Sequence, residues 1–138
     1  LLEPAELIHD RLMDRLRFEK RTGTVALHVT CSATKMGLEA KLRAVAGACA
    51  ERVVVPPTGC CGFAGDKGFT TPELTASALR DLRAALPPGC DRGYSNSRAC
   101  EIGLTTHAGV PYQSIVYLVD ACTSPRAAGD GRPAGAPP

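Results

Sequence analysis

"TVALHVTCSATKMGLEAKLRAVAGAC", residues 24–49, changes its period at one cysteine. Thr24 to Val29 is an unbroken β-prone run of the kind found in a strand buried on both faces. It ends at Cys31. Beyond it Leu38, Leu42, Val45 and Cys49 fall on one helical face, and Ser32 or Thr34 stands where an N-cap is wanted. The stretch therefore predicts a strand, a turn carrying a thiol, and a helix.

The unit recurs along the chain. "RVVVP" at 52–56 reads as a second buried strand, followed by the glycine-rich loop "TGCCGFAGDKG". Thr71 and Pro72 then open a helix with Leu74, Ala78, Leu79 and Leu82 on its apolar side. "PPGCDRGYSNS" at 87–97 crosses a third strand, and "RACEIGLTTHAG" follows as a helix with Ser95 or Ser97 as its cap. A fourth strand is expected in "VPYQS" and a closing helix in "SIVYLVDAC", with Ile115, Leu118 and Cys122 inward. Ahead of all these, Ile8, Leu12 and Leu16 mark residues 4–18 as an amphipathic helix. Alternating strands and helices predict an α/β fold: a parallel sheet of about four strands with helices on both faces. In such sheets ligands bind at the carboxyl ends of the strands, where Cys31 and the Cys60-Cys61 pair would lie.

At 138 residues the chain suits one domain, taken as 1–123, because 124–138, "SPRAAGDGRPAGAPP", has nothing to bury and reads as a disordered tail. Apolar residues make up 44% and aromatics 4%, so the core must be aliphatic. A formal charge of +2 gives no broad basic surface, which argues against a nucleic-acid partner. No stretch reaches the roughly 18–20 apolar residues of a membrane span, and "LLEPAELIHDRL" lacks a signal peptide's layout. A cytoplasmic location is expected. The opening Leu1, with Glu3 and Pro4 entering a helix, is the start expected of a piece of a longer chain.

Seven cysteines cannot all pair within one chain, and in a cytosolic setting thiols are metal ligands, redox groups or packing. Cys49 and Cys122 fall on apolar helix faces and read as packing, as does Cys90 after its Pro-Pro-Gly turn. Cys31, Cys60, Cys61 and Cys100 remain, each in a loop or a first helical turn on one sheet edge. Alone, the adjacent pair could be packing, a vicinal disulfide, a redox dithiol or half of a metal site. With Cys31 and Cys100 at helix starts, whose amides stabilise thiolates, a metal site is the expectation. Gly59, Gly62 and Gly65 permit the sharp turn that would aim both neighbours at one centre. An iron–sulphur cluster and zinc both take four thiolates, although no Cys-x-x-Cys knuckle of the zinc-ribbon kind is present.

Cys31, then Cys60-Cys61-Gly62, then Ser97-Arg98-Ala99-Cys100 resembles the cysteine-rich CCG domain. That domain occurs in heterodisulfide reductases, in the iron–sulphur component of glycolate oxidase and in anaerobic glycerol-3-phosphate dehydrogenases. "HVTCSATKMG", "GCCGFAGDKGF", "PELTASAL", "YSNSRACEIGL" and "GVPYQSIVYLVD" are similar to the C-terminal region of bacterial FAD-linked D-lactate and D-2-hydroxyglutarate dehydrogenases, over roughly residues 5–123. The resemblance implies a Rossmann-like CCG fold with Cys31, Cys60, Cys61 and Cys100 as ligands of a 4Fe-4S cluster, zinc being the alternative. It also places Gly62 and Ser97 against the cofactor. Ser97 departs from the family, standing where the first cysteine of Cys-x-x-Cys is usual, so a five-cysteine noncubane cluster is in doubt. The implied role is electron transfer from FAD, held elsewhere in a D-2-hydroxyacid dehydrogenase, to an acceptor. The FAD-binding region would be the partner, membrane association would come only through the parent protein, and these 138 residues would not turn over substrate alone. The alternative is a zinc-bound structural or docking domain, and a metal-free thiol–disulfide catalyst ranks last.

Among the remaining candidates His28 reads as a satisfied core group, while His107 is expected nearer the site edge. Lys35, Asp66 and Lys67 read as solvated loop charges, and "GFAGDKG" lacks the Gly-Lys-Ser/Thr ending of a phosphate-binding P-loop.

Overall fold

The computed structural model describes residues 1–129 of the chain. Helix α1 (Pro4–Leu7) opens with Glu3 as N-cap, its carboxylate accepting from the Ala5 and Glu6 amides, and continues as a π-helical turn over Ile8–Leu12. Then come β1 (Leu16–Phe18), β2 (Thr22–His28), α2 (Cys31–Lys35), α3 (Glu39–Cys49) and β3 (Ala50–Val54). The glycine-rich loop leads into α4 (Lys67–Thr70), α5 (Pro72–Ala78) and α6 (Leu82–Ala85). The chain closes through β4 (Gly93–Ser95), α7 (Arg98–Ala108), β5 (Tyr112–Ser114), α8 (Ile115–Cys122) and β6 (Thr123–Pro125).

Strands β3, β2, β4 and β5, in that order, form a parallel sheet, the mixed α/β arrangement expected. Alternation along β2 divides the core. Val25 and Leu27 pack with Ile8 and with Leu42 and Val45 of α3 and Ile115 and Leu118 of α8. Ala26 points the other way, into a cluster with Leu79, Leu82, and Leu104 of α7. The chain thus leaves β2 over one face and leaves β4 over the other, and the strand order reverses between them. That reversal opens a crevice at the carboxyl ends of β2 and β4, the general ligand position in open α/β sheets.

Several local expectations are corrected. The helix expected over 4–18 stops at Leu12, because Leu16–Phe18 pairs antiparallel with Thr123–Pro125 and Phe18 packs against the core. Strand pairing therefore extends to Pro125, two residues past the boundary expected at 123, and most of the expected tail, 130–138, lies outside the described residues. The helix expected after Cys31 is two helices, broken where Gly37 takes a positive φ of 69°. Thr30, not Ser32 or Thr34, caps the first of these, accepting from the Ala33 amide at 3.2 Å, so Cys31 becomes its first residue. The helix expected from Pro72 is also interrupted, and it turns Thr75 inward and leaves Leu74 exposed.

Gly93 sets the packing of β4 against β5. A Cβ there would lie 2.3 Å from the buried Tyr112 ring, which lies across the glycine. Gly93→Ala is expected to cost about 1–3 kcal/mol through overpacking, seen as a lower urea midpoint. Combined with Tyr112→Ala, it should cost less than the sum of the two single changes.

Candidate functional site

The crevice between β2 and β4 gathers the loop cysteines. Cys31 is the first residue of α2 directly beyond β2, Cys100 lies in the first turn of α7 beyond β4, and Cys60-Cys61 follow β3. The Sγ atoms of Cys61 and Cys100 are 2.7 Å apart. The Cys60 thiol lies close enough to those of Cys31 and Cys61 to shift their titration. The four thiols form a row in the order Cys31, Cys60, Cys61, Cys100, exposed at its Cys31 and Cys60 end, with Cys61 buried and Cys100 partly so.

The loop supplies donors to that row. Gly62 N–H donates to Cys60 Sγ at 3.4 Å, and the amides of Phe63 and of Cys61 itself lie near enough to Cys61 Sγ to favour its thiolate. Gly62 is required here: its φ is 71°, and a Cβ would stand 2.7 Å from the Leu74 carbonyl oxygen, so the loop is pressed onto α5. Beside it Ala64 holds a φ of 46°, a strained value for a residue with a Cβ.

The contact with Cys100 and the nearby loop amides pull the Cys61 thiol down to about 6, and the same contact together with desolvation pushes Cys100 up. Cys31 is also raised, by its bond to Cys60, by desolvation and by the charge of the other thiols. Ser97 holds the N-cap backbone position of α7, but its hydroxyl makes no bond to a helix amide. It lies near Cys100 and favours that thiolate. The chemistry of the row is thus a charge-stabilised set of sulphur donors.

Two sulphurs sharing one tetrahedral zinc stand about 3.8 Å apart. Cys61 and Cys100 are closer than that, while Cys31 meets the row only through Cys60. Among the described residues no three or more His, Cys, Asp and Glu side chains are grouped to hold a single ion. The donor type suits a thiolate-bound group, and the spacing suits one ion poorly.

His28 is the satisfied core group expected, and it has a positional role besides. It is buried at the end of β2, in register with Ser95 of β4. Its Nε2 lies 3.3 Å from the Gly59 carbonyl oxygen and its Nδ1 3.1 Å from Ser95 Oγ. A carbonyl only accepts, so Nε2 carries the proton and the Ser95 hydroxyl donates to Nδ1. The ring therefore fastens the residue before Cys60 to both central strands. Beside it a cavity of about 550 Å³ is lined by His28, Val29, Cys31, Val55, Pro57 and Cys60, with Lys35 and the Arg43–Glu39 ion pair also on its wall.

The other candidates fall elsewhere. Cys49 and Cys122 are buried against each other, Cys122 Sγ lying 3.5 Å from the Cys49 carbonyl oxygen, and burial pushes the Cys49 thiol up to about 12. Cys90 is buried with its thiol 3.6 Å from the Arg92 carbonyl oxygen. His107, expected near the site edge, is in the last turn of α7, about 10 Å along the helix axis from Cys100. Asp66 and Lys67 are exposed at the start of α4. Glu101, not singled out in the sequence, is a buried carboxylate beside Cys100 paired with Arg98 at 3.1 Å, and only the Arg98-x-x-Glu101 spacing hinted at it.

Comparison with known proteins adds no identification: no family model matches the chain, and neither a curated protein nor a solved structure matches it.

Burial depresses the His28 pKa below its ordinary value of 6.5. The unfolded chain then binds the extra proton first, so the stability tied to neutral His28 is complete above pH 6.5 and falls as pH drops below it. The urea midpoint should decline as pH falls below about 6.5. His28→Gln is expected to lose about 1–3 kcal/mol at about pH 7.5 and to show a shallower decline, whereas an unchanged slope would remove His28 from that role.

Proposed function

We propose that this chain is an electron-transfer domain that holds an iron–sulphur cluster through Cys31, Cys60, Cys61 and Cys100. The observation that carries the proposal is the row of thiols in the β2/β4 crevice, supplied with backbone donors. The resemblance of the same cysteines to a CCG domain supports it independently. Four thiols are the donor set of an iron–sulphur cluster as of zinc, and the resemblance favours the cluster.

When bound, such a cluster supplies one-electron redox chemistry. The chain's own residues prepare the place for it. Metal-ligating thiols must release their protons, and the amides of Cys61, Gly62 and Phe63 favour the anionic sulphurs. Those same N–H groups would tune the reduction potential, as hydrogen bonds to sulphur generally do. Ser97 would act on the Cys100 ligand through its hydroxyl, and Gly62 would let its own amide approach Cys60. His28 holds the loop in place from behind. By the same resemblance, the electron donor is an FAD-binding region of a D-2-hydroxyacid dehydrogenase of the D-lactate type.

Purification without oxygen, followed by iron and acid-labile sulphide analysis with visible and paramagnetic resonance spectra, tests the proposal. Iron with matching sulphide is expected, lost in Cys60→Ser and Cys61→Ser and retained in Cys49→Ala. A colourless protein with stoichiometric zinc and no sulphide would make the loop a structural clamp and overturn the redox assignment.

A further inference from the structure

We propose that Cys61 and Cys100 are an oxidisable dithiol: in the metal-free chain a peroxide closes them to a disulfide, and that disulfide shuts the site to metal until it is reduced. The pairing stands apart from the metal assignment; only the gating of metal entry rests on it.

The geometry selects this pair among the thiols. Cys61 and Cys100 have their Sγ atoms 2.7 Å apart, closer than two ligands of one zinc would stand. Their approach is held by apolar packing rather than by a metal. Cys61 and Phe63 lie in one cluster with Leu79 and Leu104, and Cys100 packs against that cluster. One turn further along α7, Gly103 leaves room for the loop: a Cβ there would stand 3.0 Å from the Phe63 ring and 2.9 Å from Thr75 Cγ2. The competing thiols are otherwise engaged, Cys60 with the Gly62 amide and with Cys31. Cys100 is only partly buried, which gives a small oxidant a way to the pair.

The chemistry balances with hydrogen peroxide as oxidant. One sulphur of the pair, as thiolate, attacks a peroxide oxygen; an S–O bond forms, the O–O bond breaks, and the departing oxygen leaves as water after taking a proton. The second sulphur attacks the resulting sulfenic sulphur, forming the S–S bond and expelling the oxygen as a second water. Two thiols lose two electrons and two protons in all, and one peroxide becomes two waters. The disulfide removes two of the four ligand thiolates, and it cannot be bypassed by the two that remain.

The test treats the reduced, metal-free full chain with one equivalent of hydrogen peroxide and maps its tryptic peptides without reduction. Peptide 53–67 carries both Cys60 and Cys61, and peptide 99–126 carries both Cys100 and Cys122, so Cys60→Ser and Cys122→Ser variants assign the linkage. The expected result is a 53–67 to 99–126 cross-link that survives both of those changes and disappears in Cys61→Ser and Cys100→Ser. Linkage through Cys31 or Cys60 instead, or no linkage, overturns the proposal. Anaerobic iron and sulphide loading then compares oxidised and reduced chains. Uptake should fall at least about tenfold on oxidation and return after dithiothreitol, and equal uptake would overturn the gating. Reduced chain that takes up neither iron nor zinc would defeat the metal assignment and the gating with it, while the mapped cross-link would still decide the pair.

Discussion

The hydrogen bonds of the His28 ring are what the rest of the site depends on. They run from one buried side chain to the Ser95 hydroxyl on the neighbouring strand and to the Gly59 carbonyl at the start of the cysteine loop. A loop after an edge strand would otherwise be free to move away from the sheet. Holding Gly59 leaves Cys60 and Cys61 at the carboxyl ends of β2 and β4. With the imidazole neutral, both ring nitrogens are satisfied only in the tautomer protonated on Nε2, because the carbonyl cannot donate. The position of the thiols is therefore tied to one tautomer of one histidine.

Around that anchor the reversal of strand order does the gathering. α3 and α7 pack on opposite faces of the sheet, so the turns that start α2 and α7 approach the same crevice from two sides. The glycine-rich loop enters from a third direction, pressed onto α5 at Gly62 and onto α7 at Gly103. Close backbone approach at these two glycines brings Cys61 against Cys100. The same compactness that would place sulphur donors for the proposed cluster brings two of them together when none is bound. The proposed metal binding and the proposed thiol oxidation would thus be alternative outcomes of a single packing arrangement.

The alternation of buried strands and amphipathic helices was legible because burial on two faces leaves continuous apolar runs, as in Val25, Ala26 and Leu27. The gathering of Cys31, Cys60, Cys61 and Cys100 at one edge of the sheet was legible from their placement in turns at strand ends. The β1–β6 pairing was not, since it joins residues 16–18 to 123–125 and each partner is too short to announce itself. His107 looked close to the site along the sequence but lies at the far end of α7, because a helix that begins at the crevice carries its last turn away from it.

Local composition by itself determined the alternation of strands and helices, the buried runs of the central strands, and the packing of Cys49 and Cys122 on helix faces. These are consequences of side-chain period, capping and glycine placement acting over a few residues. Only the tertiary structure decided which thiols meet and that His28 fastens the loop. Those relations depend on strand order and on contacts between distant segments: His28 and Ser95 are 67 residues apart, and Cys61 and Cys100 are 39 apart. Their separation is set by how helices pack on the two faces of the sheet, a property of the folded chain that no short window of sequence contains.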